Sequence, residues 1–219
     1  MSFMQNKRFH LVLLFIVIII FIWSAIKPVS YYSWILEVAP AVASIAVVLI
    51  LYKKFRLTTL SYTIIAFVTI LMFIGGHYIY SNVPLFDWLK DIWDLKRNHY
   101  DRFGHFMKGL IAIVIREILL RKTLLYNGRW LNGIVISVVL AIASLYEIVE
   151  WIFAMLTKGG RASKDFLGTQ GDIWDTQWDM VLSFAGSIIA LILLTKMHDH
   201  LLKREIGLNP NKLKKEEKE

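Results

Sequence analysis

Hydrophobic residues dominate six long stretches of the chain, and polar residues are concentrated in the shorter segments between them. A bilayer core of about 30 Å is crossed by about 20 helical residues, so each stretch is long enough to span a membrane. The pattern predicts an all-α polytopic membrane protein, with about six transmembrane helices in one bundle. The predicted spans lie near residues 10–26, 34–52, 60–79, 103–120, 131–156 and 180–197.

The first stretch follows Lys7 and Arg8, as the apolar core of a secretory signal peptide also follows basic residues. Its apolar run is long for a signal peptide, and no convincing small-residue cleavage site precedes Lys27. We therefore interpret it as a transmembrane helix.

Composition supports the membrane assignment. Hydrophobic residues make up 57% of the 219 residues, with 8 Trp, 9 Tyr and 13 Phe, and the mean hydropathy is +0.54. This apolar share is above that of a typical soluble domain. The chain has no cysteine, which excludes disulfides, thiolate metal sites and a cysteine nucleophile.

The distribution of charge predicts the orientation, because cytoplasmic loops carry an excess of Lys and Arg. With the N terminus inside, 16 of the 25 basic residues fall on the inner side and 11 of the 17 acidic residues on the outer side. Both termini are therefore predicted to be cytoplasmic, and the net charge of +8 reflects topology rather than nucleic-acid binding. We predict one transmembrane domain, residues 1–208, and a charged disordered tail, residues 209–219.

Four predicted helices bring ionisable residues to the same, outer membrane face. Asp101 and His105 are four residues apart at the start of the fourth span, and Glu147 and Glu150 share one side of the fifth. The sixth begins with three acids at spacings of three and four, which predicts a single helical face. These are Asp172, Asp175 and Asp179.

Helix capping is a simpler explanation for some of these acids. A carboxylate is favourable at a helix N terminus, so Asp101 and Asp172 could act only as caps. Capping does not explain Glu147 and Glu150, which lie inside an apolar span where a charge costs about 3 kcal/mol. These two glutamates favour a functional cluster.

Other polar residues near this face have ordinary structural interpretations. A lone His77 at the end of the third span is typical of a packed or interfacial histidine. The following loop mixes acids with Trp and basic residues, which indicates an amphipathic helix in the interface with paired charges. Its acids are Asp87, Asp91 and Asp94.

Three motifs carry a family resemblance. The segments "RNHYDRFGHF", "YEIVEW" and "DFLGTQGDIWDTQWDM" resemble the YjdF-like family of bacterial inner-membrane proteins, and the resemblance covers nearly the whole chain. More distantly, the pattern is similar to VanZ-like proteins, which are named for a factor in teicoplanin resistance. Asp101, His105 and Gly186 match their motifs, whereas Asp179 replaces an Asn and Leu182 a Gly. The resemblance implies a polar site in the bacterial cell membrane.

A histidine among carboxylates is a ligand set for Mg²⁺, Mn²⁺ or Zn²⁺. Such a site at the outer membrane–water boundary suggests a metal-dependent hydrolase or transferase that acts on a lipid or lipid-linked envelope substrate. An anionic headgroup could be held by Arg102, Lys108 and Arg161. The assigned catalytic residues are Asp101, His105, Glu147 and Asp175, the substrate contacts Arg102, Gln170 and Gln177, and the metal ligands His105, Glu147, Glu150, Asp172, Asp175 and Asp179.

Two other functions remain open at this stage. Acids inside a membrane could bind cations or relay protons in a transporter or lipid translocator, although they are confined to one side. The cluster could also only hold the helices together in a non-catalytic envelope or resistance protein. None of the common catalytic signatures, such as HExxH or GxSxG, occurs in the chain.

Overall fold

The chain folds into a helical bundle, seen in a computed structural model that describes residues 2–156 and 168–213. Regular secondary structure within these ranges is helical, which confirms the predicted all-α class. The helices are α1 (Ser2–Ala25), α2 (Tyr31–Leu51), α3 (Thr59–Tyr78), α4 (Pro84–Ile92), α5 (Tyr100–Lys108), α6 (Ile111–Lys122), α7 (Arg129–Leu156) and α8 (Asp175–Leu201). A single helical turn at Tyr80–Asn82 lies between α3 and α4, and two more lie after α8, at Leu202–Ile206 and Pro210–Leu213.

Five of these helices, α1, α2, α3, α7 and α8, are long and apolar enough to cross a membrane. The segment predicted as the fourth span is divided into α5 and α6, each of which is too short to cross alone. At the division, the amides of Leu110, Ala112 and Ile113 each bond the carbonyl three residues back, at 3.0–3.1 Å. This tighter winding joins α5 directly to α6, and the two helices together cover the segment predicted as the fourth span.

Helices α3 and α8 organise the bundle. α3 packs against α1, α2, α5 and α6, whereas α8 packs against α5, α6 and α7. The apolar core near the start of α3 includes the buried residues Ile113, Leu120 and Leu131. Large aliphatic side chains also cover the outer surface, among them Ile50, which is 72% exposed, and Leu193, which is 69% exposed. Such a surface suits contact with lipid rather than water.

A close approach of two backbones sets the position of α5 against α8. A Cβ atom on Gly109 would lie 2.6 Å from the carbonyl carbon of Gly186, and one on Gly186 would overlap the carbonyl oxygen of Phe106. The Ser183 hydroxyl donates a hydrogen bond to the carbonyl of His105 at 3.1 Å, across the same contact. Small residues at such crossings are a common way to join membrane helices. The contact therefore positions His105 next to α8.

Substitution of Gly186 by Ala should lower thermal stability strongly, because the added methyl group overlaps backbone rather than a movable side chain. Gly133→Ala is the matched control, since a Cβ there meets nothing within 4 Å and alanine favours a helix by about 1 kcal/mol over glycine. Melting temperatures in detergent measure both variants. Equal melting temperatures for the two would show that the α5–α8 contact is not constrained at this point.

The end of the chain differs from the predicted disordered tail between residues 209 and 213. Pro210–Leu213 forms a helical turn, and the Leu213 side chain is buried. The Lys212 ammonium donates to the carbonyls of Leu120 and Thr123, at 3.1 and 2.6 Å. These carbonyls lie at the C terminus of α6, where the helix leaves acceptors unpaired. The charged composition of this segment predicted disorder, but it does not reveal these tertiary contacts. Residues 214–219 lie outside the described residues.

Truncation after Leu208 should therefore destabilise the protein, by about 1–3 kcal/mol, because it leaves the end of α6 without these donors. Truncation after Leu213 keeps the contact and serves as the control. The two proteins are compared by thermal unfolding in the same detergent. If both melt at the parental temperature, the turn at Pro210–Leu213 contributes nothing to stability.

Candidate functional site

His105 lies at the centre of a group of acids contributed by three helices. Its Nε2 atom is 3.6 Å from Oδ1 of Asp101, one turn earlier on α5, and 3.9 Å from Oε1 of Glu147 on α7. All three side chains are buried. Glu150, three residues after Glu147, is buried on the same side of α7. The sequence spacings thus correctly placed these residues side by side.

Helix α8 completes the group with Asp175 and Asp179, which are buried on one helical face. Ligand atoms of Asp101, His105 and Asp179 all lie within 4.8 Å of one another, close enough to bind one metal ion. The prediction that Asp172 shares this helical face is wrong, because α8 begins at Asp175. Asp172 lies in the preceding turn, where its carboxylate accepts a hydrogen bond from the amide of Trp174 at 2.9 Å.

A sixth buried acid, Glu37, was missed in the sequence. It lies on α2, and its carboxylate accepts a hydrogen bond from the Tyr146 hydroxyl at 2.8 Å. The carboxyl groups of Glu37, Glu147 and Asp101 interact electrostatically. An acid inside an apolar span, near its start, was a signal that could have identified it. Its presence means that α2 also contributes to the site.

Lys108 supplies a positive charge next to the histidine. Its ammonium is 3.1 Å from Nε2 of His105 and lies over the rings of Tyr146 and Tyr80, at 4.4 and 5.5 Å from their centroids. The faces of the aromatic rings and the nearby carboxyl groups both attract the Lys108 ammonium. The sequence suggested a role for Lys108 in binding an anion, but not this contact with His105.

Among the described residues, the site contains more carboxyl groups than basic side chains. Its carboxyl groups interact with three cations in the part of the chain that the structure describes, Arg97, Arg102 and Lys108. Oε1 of Glu147 and Oδ1 of Asp179 have no hydrogen-bond partner among the described residues. Buried carboxylates are costly without protons, donors or a metal cation. We term the following group the carboxylate cluster: His105, the partly exposed Asp172, and the buried acids Glu37, Asp101, Glu147, Glu150, Asp175 and Asp179.

Two arginines bind the acids at the edge of the cluster. Arg97, which is 7% exposed, pairs with Asp175, and Arg102 pairs with Asp172. The hydrogen bond from the Trp174 amide, and then the pairing with Arg102, hold the pKa of Asp172 below its usual value. Asp172 is therefore ionised and engaged by donors of the protein, whereas Oδ1 of Asp179 has no donor among the described residues.

The predicted substrate contacts have different environments. Arg102 borders a cavity together with Gln170. The Gln170 amide is paired with the backbone of Asn98, accepting from its N–H at 2.8 Å and donating to its carbonyl at 2.9 Å. Gln177 is exposed on the first turn of α8, and Arg161 lies outside the described residues.

The residues interpreted as structural do have structural contacts. Nδ1 of His77 is 3.0 Å from the carbonyl of Ser24, and its ring stacks on Trp23 at 4.4 Å. Helix α4 has no buried residue, and its Lys90 pairs with Asp87 at 3.2 Å. These contacts fit a packed histidine and an amphipathic surface helix.

A second polar group, which we term the Glu117 cluster, lies at the other end of α3. The sequence did not predict that its members meet. The Glu117 carboxylate is fully buried and accepts hydrogen bonds from Thr58, Ser61 and Arg121. Nε2 of His198 is 3.3 Å away, and Arg116 bonds the other nitrogen of the His198 ring at 3.0 Å. Each carboxylate oxygen of Glu117 therefore accepts a hydrogen bond. In the carboxylate cluster, by contrast, some oxygens have no donor among the described residues.

Comparison with known proteins supports the membrane assignment. Inner membrane protein YjdF of Escherichia coli (strain K12) is 37% identical over 187 residues, which are 85% of this chain and 88% of that protein. No solved structure matches the sequence. The relative and the apolar helices place the chain in the inner membrane as a multi-pass protein. Residues 9–200 match the family described as "Predicted membrane protein (DUF2238)", and the chain belongs to that family.

Proposed function

We propose that the protein is a metal-dependent hydrolase or transferase that acts on a lipid or lipid-linked substrate at the extracytoplasmic face of the inner membrane. The observation that carries this proposal is the buried group of Asp101, His105 and Asp179, with ligand atoms within 4.8 Å of one another. A buried site that combines a histidine nitrogen with carboxylate oxygens is typical of Mn²⁺ or Zn²⁺, and the carboxylates also suit Mg²⁺.

The residues fit a divalent cation. Oδ1 of Asp179 and Oε1 of Glu147 are buried without a hydrogen-bond partner in the described chain, as expected for oxygens that would face a metal. A cation would also offset the excess of carboxylates. Asp101, His105 and Asp179 would hold the metal, which when bound would polarise a phosphoryl or acyl group of the substrate.

Other residues of the cluster have roles that follow from their contacts. Glu147 lies beside His105, so its carboxylate would accept the proton of the attacking water or hydroxyl group. The ammonium of Lys108 would stabilise negative charge that develops on the substrate. Asp175 pairs with Arg97 and so holds that arginine in position, rather than reacting itself.

The surroundings favour an amphiphilic substrate. Helix α4, at the same end of the bundle, exposes Trp88 and Ile92 beside charged residues, which suits the headgroup region. A lipid could thus keep its chains in the bilayer while its headgroup reaches the carboxylate cluster. Nucleic acid is not an expected partner, since the basic residues are accounted for by topology.

Elemental analysis of the full-length protein, purified in detergent without added metal, tests the proposal together with lipid analysis of a deletion strain. We expect about one Mg, Mn or Zn per chain and a changed headgroup or lipid-linked intermediate. Cation-dependent flux in vesicles without any lipid change would favour a transporter instead. Absence of metal, lipid change and flux would favour a scaffold.

The proposed topology places both termini in the cytoplasm, because the positive-inside rule assigns most Lys and Arg to that side. A reporter that is active only outside the cytoplasm should stay silent after fusion to Glu219, and should be active when inserted after Asp94, in the exposed loop that follows α4. Activity at Glu219 would mean that the chain crosses the membrane an odd number of times.

A further inference from the structure

A polar cavity of about 430 Å³ opens beside the carboxylate cluster. Its walls come from the loop before α5 and the turn before α8, which the two hydrogen bonds between Gln170 and Asn98 join. Three of its lining side chains are permanent cations, and only one is an acid. The lining residues are Lys96, Arg97, His99, Arg102, Gln170, Gly171 and Asp172.

The two arginines in this wall already hold one anionic group between them. Asp172 pairs with Arg102, and the same carboxylate oxygen lies 3.8 Å from Nη1 of Arg97. Nε of Arg97 and Nε of Arg102 are both buried without a hydrogen-bond partner in the described chain. The arginines thus have donor capacity that Asp172 does not use.

We propose that this cavity binds the phosphate group of the substrate. Planar guanidinium groups suit phosphate oxygens, and Lys96 adds a third charge at the mouth of the cavity. Asp172 is 27% exposed and lies before α8, so its carboxylate can give way to a phosphate between the two arginines.

His99 provides a further donor in the same wall. Its imidazole lines the cavity with Arg97 and Arg102, and a ring N–H can donate a hydrogen bond to a phosphate oxygen. A phosphate bound here would lie next to the reactive centre, because Arg97 lines the cavity and also pairs with Asp175 of the carboxylate cluster. The inference deepens the proposed function, on which it rests.

Binding of two probes to the full-length protein in detergent tests the site: inorganic phosphate and dihexanoyl phosphatidic acid, each followed by calorimetry. Lys96→Gln and Arg102→Gln should each weaken binding by about tenfold or more, since each removes a charge-assisted contact. Lys96 is exposed, so its variant should fold even if Arg102→Gln does not. Lys90→Gln, on the neighbouring helix α4, is the control for a general change of charge and should bind as the parent does.

Two further arms separate the possible outcomes. Tighter binding of phosphatidic acid than of phosphate would identify a lipid headgroup as the ligand, whereas equal affinity would identify a free phosphate group. Asp179→Asn should still bind the probes, because the cavity does not include Asp179. Failure of both probes to bind, or an equal loss in Lys90→Gln, would overturn the phosphate site. Neither result affects the metal centre, which fails only if the purified protein holds no metal.

Discussion

Asp179→Asn should remove bound metal and activity from a protein that folds normally. The Asp179 side chain is buried, and one of its oxygens has no hydrogen-bond partner among the described residues. Replacing it with the neutral amide relieves repulsion among the nearby carboxylates, so the melting temperature should stay the same or rise. Loss of a residue that only supports a metal ligand typically weakens metal binding by about 10–100-fold, and loss of a direct ligand should weaken it further.

Metal content by elemental analysis, and melting temperature in the same detergent, measure this prediction. Asp91→Asn is the matched control, because Asp91 is exposed on α4 and the chemical change is identical. The control should keep the parental metal content. An Asp179→Asn protein with full metal content would refute the assignment of Asp179 as a ligand, and full activity would remove the carboxylate cluster from the mechanism.

Asp175 is less informative at this site, although it is one turn before Asp179. Its carboxylate neutralises Arg97, which is buried. A variant at Asp175 therefore combines loss of an acid with loss of the shorter ion pair of a buried arginine, which is itself destabilising. Asp179 has no such ion pair within the described part of the chain, so its substitution separates function from folding.

Spacing in the sequence was sufficient to predict part of this site. Residues four apart on α5 and three apart on α7 share a helix face whatever the tertiary structure, which placed Asp101 with His105 and Glu147 with Glu150. The same reasoning failed for Asp172, because it assumed that the helix already includes this residue, whereas α8 begins at Asp175. The Asp172 carboxylate instead accepts from the amide of Trp174 in the turn before the helix.

Contacts between distant helices could not be obtained from spacing. Glu37 and Lys108 both reach Tyr146 only because α2, α5 and α7 meet at one end of the bundle. His198 and Glu117 are 81 residues apart, and no local pattern pairs them. The long apolar stretches predicted the spanning helices, whereas the tertiary packing decides which of their polar residues meet.

The same substitution, Glu→Gln, should have opposite effects on stability in the Glu117 cluster and in the carboxylate cluster, which lie at opposite ends of α3. At Glu117 it should lower the free energy of unfolding by about 3–5 kcal/mol, the usual cost of breaking a buried ion pair. The carboxylate there accepts from Thr58 at 2.8 Å, Ser61 at 2.6 Å and Arg121 at 2.7 Å. An amide keeps only one acceptor oxygen and turns an NH₂ group toward donors, which leaves buried N–H and O–H groups unpaired.

Glu147→Gln should instead retain or raise stability while it removes activity. Oε1 of Glu147 has no hydrogen-bond partner to lose among the described residues. The neutral amide also relieves the repulsion from Asp101. Chemical or thermal unfolding in one detergent, with metal content and lipid analysis on the same preparations, compares the pair. A stable Glu117→Gln protein would show that the Glu117 cluster tolerates an unpaired donor. Destabilisation of Glu147→Gln as severe as that of Glu117→Gln would show that Glu147 serves the fold, and the case for a base at this position would then be lost.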